Sequence, residues 1–173
     1  MLTFCAHSGT FRTTIGFAAK NFQPCRAGPF LAKFAEKYFF RRYGFDPALK
    51  ASLSEEAGLG AHGNVHVISQ ENSGLWIERM YVWSHPASRP WGVDVAQQCP
   101  SCKRLRSWSK PKQIRRRSIV KNTTATAELI QHKCRFCGHF KCFTKPADLI
   151  HDGVMAESGR GMWFFTVRVN KKM

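Results

Sequence analysis

The chain has 173 residues, a formal net charge of +16 and 43% hydrophobic residues, among them 14 Phe and 5 Trp. This composition can build a hydrophobic core, which excludes a disordered chain. No apolar run is long enough to span a membrane, and the first five residues lack the basic lead and apolar stretch of a signal peptide. We therefore expect an intracellular protein with reduced cysteines, made either of one domain or of one small domain and a further small module.

Three helices are predicted in the first third of the chain. Apolar residues at helical spacing predict the first over residues 11–22. Pro29 suits the first position of a second helix, which should end near Gly44. A third, weaker helix is expected from Asp46 to about Ala57. The short apolar stretch at residues 1–5 is compatible with a strand, and every other predicted strand follows these three helices.

Strands are predicted later in the chain, where aromatic and β-branched residues are dense. Residues 65–69 and 75–83 flank a turn-forming stretch and predict a hairpin. Residues 162–169 predict a further strand that pairs with this hairpin, whereas residues 146–161 have the composition of a loop. The predicted fold class is therefore α+β, with N-terminal helices and a small antiparallel sheet.

Two C-x-x-C motifs are the strongest signal in the sequence. The first holds Cys99 and Cys102, and the second, 31 residues further on, holds Cys134 and Cys137. Two intervening residues let one tight turn aim both thiolates at a single point, and two such turns provide the tetrahedron of sulfurs that structural zinc prefers. We predict that these four cysteines bind one structural Zn²⁺. A disulfide pair or unrelated thiols are the alternatives.

Other potential ligands lie close to the second motif. His132, His139 and Cys142 could each replace one of the four cysteines. A complete set of four cysteines leaves no open coordination position, so the ion would organise the fold and would not catalyse a reaction.

The paired motifs resemble a zinc ribbon over residues 97–145. The resemblance implies two knuckles at the ends of β-hairpins around one metal ion. Within it we expect a strand over residues 103–109, a basic hairpin or loop over 110–122, a returning strand over 124–132 and a third strand over 139–143.

The predicted domain organisation follows from these assignments. Residues 1–92 form an α+β segment, residues 93–145 form the zinc ribbon, and residues 146–173 form a loop and a strand that returns to the sheet. The positive charge is concentrated in the ribbon, because residues 97–145 contain 13 Lys or Arg and one acidic residue, Glu128. Such a local field attracts polyanions, and nucleic acid above all.

A basic run between the two motifs is the predicted contact surface. Guanidinium groups fork onto phosphate oxygens, and an indole ring stacks on an unpaired base. The predicted nucleic-acid-binding residues are Trp108, Lys110, Lys112, Arg115, Arg116 and Arg117. The alternatives are a solvated basic loop, a nuclear-import signal, which would place the protein in the nucleus, and a surface that binds a protein partner. No glycine-rich phosphate-binding loop or other small-molecule motif is present.

One short stretch suggests a different class of protein. The string His-Ser-Gly-Thr at residues 7–10 resembles the nucleophile loop of metacaspases, which are caspase-like cysteine peptidases. In that family a Cys directly precedes the His, whereas here Ala6 holds that position and Cys5 stands one residue earlier. A one-residue shift along a strand turns the side chain to the opposite face. The resemblance therefore implies a truncated or inactive relative, and we favour a non-catalytic protein over an enzyme.

Overall fold

The chain divides into two compact units, called unit 1 and unit 2 below. Unit 1 comprises Met1–Trp83 and Asp148–Met173, and unit 2 comprises Ser84–Ala147. The computed structural model describes residues 12–19, 23–71, 74–120, 123–155 and 161–170. The metacaspase-like stretch, including Cys5, lies outside these described residues.

Unit 1 combines helices with a five-stranded sheet, which confirms the α+β class. With strands numbered along the whole chain, the sheet order is β1-β2-β3-β8-β7. These strands are β1 (Thr13–Ala18), β2 (Asn64–Gln70), β3 (Trp76–Ser84), β7 (Ile150–Met155) and β8 (Met162–Asn170). The helical segments are α1 (Pro24–Ala35), a π-helical turn (Glu36–Phe40), α2 (Phe45–Glu55) and the short α3 (Ala57–Gly60).

The core of unit 1 lies between the helices and the sheet. Phe30 of α1 and Leu53 of α2 are fully buried in one hydrophobic cluster with Val65 and Val67 of β2. Trp163 of β8 joins this cluster, and its indole N–H donates to the carbonyl oxygen of Leu53 at 2.9 Å. A residue from the last strand thus completes the core that the N-terminal helices begin.

The predicted helix over residues 11–22 is wrong. Thr13–Ala18 form β1, the edge strand, which pairs antiparallel with β2 so that Ile15 lies opposite Val67. Thr13, Thr14 and Ile15 are β-branched and favour a pleated surface, so the strand pairing prevails over the helical spacing of the apolar residues. Residues 11 and 20–22 of that prediction lie outside the described residues.

The second helix begins earlier than predicted. Pro24 occupies the first turn, where a missing N–H is tolerated, so Pro29 falls inside α1. The α-helical part ends at Ala35, and the π-helical turn follows, in which the N–H of Arg41 donates to the carbonyl oxygen of Glu36. The third predicted helix is confirmed as α2.

The predicted hairpin and the returning strand are confirmed, but the predicted C-terminal loop is wrong. β2 pairs antiparallel with β3, and β8 lies beside β3 in the sheet. Residues 146–161, predicted as a loop, contain β7, in which Ile150 lies opposite Phe165 of β8. β7 lies at the edge of the sheet and pairs with β8, which is a contact that the composition of residues 146–161 does not reveal. None of the described helices is long and apolar enough to cross a membrane.

Unit 2 contains a short 3₁₀ turn (Pro90–Gly92) and a three-stranded antiparallel sheet in the order β4-β5-β6. These strands are β4 (Lys112–Val120), β5 (Thr123–Lys133) and β6 (Phe140–Thr144). Of the two forms expected for residues 110–122, the structure has the hairpin, because β4 is paired with β5 along its whole length. The returning strand and the third strand are confirmed as β5 and β6.

The predicted strand over residues 103–109 is wrong. Lys103 and Arg106 have φ angles of 61° and 49°, in the left-handed region, which interrupts an extended strand. Only isolated bridges remain there, one between Gln98 and Leu105 and one between Trp108 and Cys134.

A matched pair of glycine substitutions tests the packing of unit 1. A Cβ added to Gly60 would overlap the side chain of Trp83, whereas one added to Gly28, inside α1, would meet no heavy atom within 4 Å beyond its chain neighbours and its own helix backbone. We expect Gly60→Ala to lower the free energy of unfolding by about 1–3 kcal/mol because the site is already filled. Gly28→Ala should change it by less than about 1 kcal/mol, because the better helix propensity of alanine is offset by the contact of its Cβ with the ring of Pro29. Urea denaturation followed by circular dichroism measures both, and equal effects of the two substitutions would contradict the described packing.

Candidate metal centre

The first knuckle is a tight turn held by main-chain hydrogen bonds. The N–H of Lys103 donates to the carbonyl oxygen of Cys99 at 2.9 Å, and the N–H of Cys99 donates to the carbonyl oxygen of Arg104 at 3.1 Å. This ring of bonds bends the chain so that Cys99 and Cys102 face the same point.

The second knuckle repeats the same pattern of bonds. The N–H of Gly138 donates to the carbonyl oxygen of Cys134 at 3.1 Å, and the N–H of Cys134 donates to the carbonyl oxygen of His139 at 2.8 Å. Gly138 has a φ of 73°, and Lys103, at the equivalent position of the first knuckle, has a φ of 61°. The first knuckle therefore uses a lysine where the second uses the residue best suited to this conformation.

Main-chain bonds also join the two knuckles. The N–H of Arg135 donates to the carbonyl oxygen of Ser107, and the N–H of Ser109 donates to that of Lys133, each at 2.8 Å. These bonds flank the bridge between Trp108 and Cys134. The segment after the first knuckle therefore runs beside the second, which brings together cysteines that are far apart in sequence.

The four cysteine sulfurs form one group. The Sγ atoms of Cys99 and Cys137 are 3.6 Å apart, and those of Cys102 and Cys134 are 3.7 Å apart. All four sulfurs lie within 4.8 Å of one another. A tetrahedral ion with metal–sulfur bonds of about 2.3 Å places its sulfurs about 3.8 Å apart. The spacing therefore fits a single metal ion held by four thiolates.

Main-chain N–H groups favour the thiolate form in the second knuckle. The N–H of Cys137, followed by that of Phe136, lowers the pKa of Cys134 to about 6. The N–H of His139 lowers the pKa of Cys137. Donors aimed at a sulfur stabilise its negative charge, which is the form that binds a metal.

The thiol of Cys102 behaves differently without a cation. The N–H of Arg104 lowers its pKa, but desolvation and hydrogen bonds with the neighbouring sulfurs outweigh this effect and raise the pKa to about 11. Four adjacent thiolates repel one another, so a divalent cation is needed to ionise the complete set. A metal ion bound at this site would therefore release protons, and its affinity would fall as the pH falls.

The rival ligands from the sequence lie outside the four-sulfur group. His132 is buried, and its Nε2 makes a 2.9 Å hydrogen bond with the carbonyl oxygen of Pro86. The sulfur of Cys142 accepts a hydrogen bond from Nε2 of Gln131 at 3.7 Å. His139 is joined to the second knuckle through its main chain. None of these three residues belongs to the group of potential ligands found among the described residues.

The predicted nucleic-acid-binding residues lie on β4 and in the segment just before it. Lys110, Lys112 and Arg115 are exposed, the last two on β4. Arg116 and Arg117 follow on the same strand, in register with Ala127 and Thr126 of β5. Their contact with nucleic acid stays a prediction.

Trp108 is packed within unit 2. Its indole N–H donates to the carbonyl oxygen of Ala96 at 2.7 Å, and its ring centroid lies 6.1 Å from that of His132 and 6.4 Å from that of His139. These contacts give Trp108 a structural role, and its stacking on a base stays a prediction.

Two exposed aromatic residues were not predicted from the sequence. Phe136 in the second knuckle is 57% exposed and Phe140 on β6 is 52% exposed. A cation lies over each ring, since Cζ of Arg104 is 4.4 Å from the Phe136 centroid and Nζ of Lys133 is 5.3 Å from the Phe140 centroid. The alternation of residues along β6 was the available signal, because it puts Phe140 and Phe143 on opposite faces.

Comparison with protein-family models, with curated proteins and with solved structures gives no match to this chain. The assignment of the site therefore rests on its geometry alone.

Substitution of single cysteines tests the metal site. We expect Cys99→Ser and Cys137→Ser to reduce bound metal from about one equivalent to well below one, because three thiolates no longer enclose the ion. Cys142→Ser, which changes a cysteine outside the group, should retain the metal. Elemental analysis of the purified full chain measures the content. One full equivalent in both knuckle variants would show that the ligands are assigned wrongly.

Substitutions at the equivalent positions of the two knuckles should change the free energy of unfolding in opposite directions. Lys103→Gly should raise the free energy of unfolding of the metal-loaded protein by about 1 kcal/mol, because it relieves a left-handed non-glycine residue. Gly138→Ala should lower it by a similar amount. Lys103→Ala removes the same charge without relieving the backbone, so it serves as the control and should bring no gain. Denaturation curves at saturating metal compare the three variants, and a gain for Lys103→Ala would refute the backbone explanation.

Proposed function

We propose that unit 2 is a zinc ribbon that binds nucleic acid and performs no catalysis. Zn²⁺ would be held by the thiolates of Cys99, Cys102, Cys134 and Cys137. The spacing of the sulfurs and the N–H donors around them support this choice. Four protein ligands complete a tetrahedron, so no position is left for a substrate or a reactive water, and the ion stabilises the fold.

The donor set narrows the identity of the metal. Four thiolates in a tetrahedral arrangement suit zinc or iron, whereas oxygen-preferring ions such as magnesium and calcium are excluded. Zinc is colourless and iron–thiolate centres absorb visible light, so elemental analysis with an absorption spectrum distinguishes the two.

The charge of unit 2 supports binding of a polyanion. Unit 2 holds 14 Lys or Arg against two acidic residues, Asp94 and Glu128, before the thiolates and the metal are counted. Each acidic residue already has a basic partner: Arg89 lies 3.3 Å from Asp94, and Lys145 lies 3.8 Å from Glu128. The formal charge of unit 2 from these residues is therefore +12. An excess of this size attracts the phosphate backbone and releases its counterions.

Strand β4 presents the basic run in a defined form. Its pairing with β5 fixes the backbone of Lys112–Val120, so the backbone that carries these cations does not have to be ordered on binding. We propose that Lys110, Lys112, Arg115, Arg116 and Arg117 provide phosphate contacts. The same run would serve as a nuclear-import signal.

A charge-matched pair of variants tests this function. We expect the triple substitution Arg115→Ala, Arg116→Ala and Arg117→Ala to weaken oligonucleotide binding. It should also flatten the slope of log K against log[salt] by about 2–3, because each neutralised phosphate contributes roughly 0.7–0.9 to that slope. Zinc content should not change, because none of the three is a ligand. Fluorescence anisotropy at several salt concentrations gives both the affinity and the slope.

The control removes three charges from unit 1 through Arg26→Ala, Arg41→Ala and Arg42→Ala. It should leave the slope nearly unchanged if the phosphates bind to the ribbon. Equal slopes in the two triple variants would mean that the whole chain attracts the polyanion without a defined surface. If the affinity and the slope are unchanged in the ribbon variant, binding of a protein partner becomes the preferred function of unit 2 over binding of nucleic acid.

A further inference from the structure

One side of the sheet in unit 2 is open, and we call it the open face. In an antiparallel sheet, paired residues share a face and alternate residues change face. Ile114 pairs with Leu129, Gln131 with Cys142, and Lys133 with Phe140. The open face therefore carries Lys112, Ile114, Leu129, Lys133, Phe140 and Cys142, all of them exposed or only partly buried.

The opposite face of the same sheet forms the core of unit 2. Ile130, His132 and Phe143 lie there and are buried. The indole N–H of Trp91 donates to the carbonyl oxygen of Phe143 at 3.2 Å, so the 3₁₀ turn lies close to β6. Among the described side chains of this sheet, the buried ones therefore lie on this side, whereas those of the open face are exposed or partly buried.

The charges on the two faces differ. Lys133 lies over the ring of Phe140, with its ammonium 5.3 Å from the ring centroid, and Lys112 is exposed on the same face. Glu128, the acidic residue of the sheet, lies on the opposite face beside Arg115 in the register, and it pairs with Lys145 at 3.8 Å. No acidic side chain lies on the open face among the residues whose side chains the structure describes. The open face therefore combines an exposed aromatic ring with positive charge alone.

We infer that the open face binds single-stranded nucleic acid, with an unpaired base stacked on Phe140 and backbone phosphates near Lys133 and Lys112. This inference rests on the proposed nucleic-acid binding and specifies its substrate. An exposed aromatic ring beside cations is the arrangement that holds unpaired bases, since each base has a π-face and each nucleotide a phosphate. In a duplex the bases are already stacked on one another, so the ring gains nothing there.

The experiment uses the zinc-loaded full chain with a labelled mixed-sequence 20-nucleotide DNA strand, the RNA strand of the same sequence, and the DNA duplex. Phe140→Ala should weaken single-strand binding by about 5- to 150-fold, which corresponds to the loss of one stacked base, and change duplex binding less than about twofold. Phe140→Tyr, which keeps the ring, should bind like the unmodified protein. Phe140→Leu, which keeps the bulk but not the ring, should behave like Phe140→Ala.

The matched control is Phe136→Ala. Phe136 is exposed to a similar extent and also has a cation over its ring, but it belongs to the second knuckle. This substitution should leave single-strand affinity within about twofold of the unmodified protein. Zinc content and circular dichroism of every variant confirm that the fold is intact.

The outcomes of this experiment distinguish failure of the inference about Phe140 from failure of the proposed nucleic-acid binding. If the unmodified protein binds neither strand nor duplex, the proposed function fails and the inference with it. If it binds the single strands but Phe140→Ala binds them equally well, the function stands and the open face is refuted as the base-stacking surface. Stacking on Phe140 is also refuted if Phe136→Ala weakens binding equally, if Phe140→Ala weakens duplex binding equally, or if Phe140→Leu binds normally.

Discussion

Convergence of four sulfur atoms on one point is the constraint on which unit 2 depends. Outside the cysteines, the described buried apolar side chains of this unit are few: Pro90, Trp91, Ile130 and Phe143. A core of that size is marginal by itself, because small domains bury too little surface to offset the entropy of folding. Binding of structural zinc contributes about 10–16 kcal/mol in small zinc-finger peptides, and this binding energy is folding energy. In the proposed zinc ribbon, the metal would therefore take the place of a larger hydrophobic core.

The same constraint explains where backbone strain is found. Among the described residues, four that are not glycine have a positive φ, and Trp91, Lys103 and Arg106 of these lie in unit 2. Each such residue costs about 1–2 kcal/mol unless its surroundings require the conformation. Lys103 closes the first knuckle, and Arg106 follows it where the chain turns toward the second. Two of the three, Lys103 and Arg106, thus lie along the path that brings the sulfurs together, whereas Trp91 lies in the 3₁₀ turn.

The sequence predicted the cluster of four cysteines better than the fold around it, for physical reasons. A C-x-x-C spacing is a local geometric constraint, so Cys99, Cys102, Cys134 and Cys137 were found together as expected. The segment Thr13–Ala18 shows the opposite case, because its strand exists through pairing with β2, which is distant in sequence. β7 likewise depends on β8. The position of Phe140 could be predicted only in part, since alternation along β6 puts it and Phe143 on opposite faces without showing which face is packed.

The interruption of unit 1 by unit 2 affects the order in which the chain can fold during synthesis. The first part of unit 1 ends at Trp83, and its remaining strands begin only after Asp148. Residues 84–147 therefore leave the ribosome complete while the sheet of unit 1 still lacks β7, β8 and the core side chain of Trp163. Domains generally fold as units while the chain grows. If unit 2 needs the proposed metal ion to fold, a cell short of that metal would hold an unfolded insert in the middle of an unfinished sheet. The hydrophobic strands of unit 1 would then be exposed to chaperones and proteases at that stage.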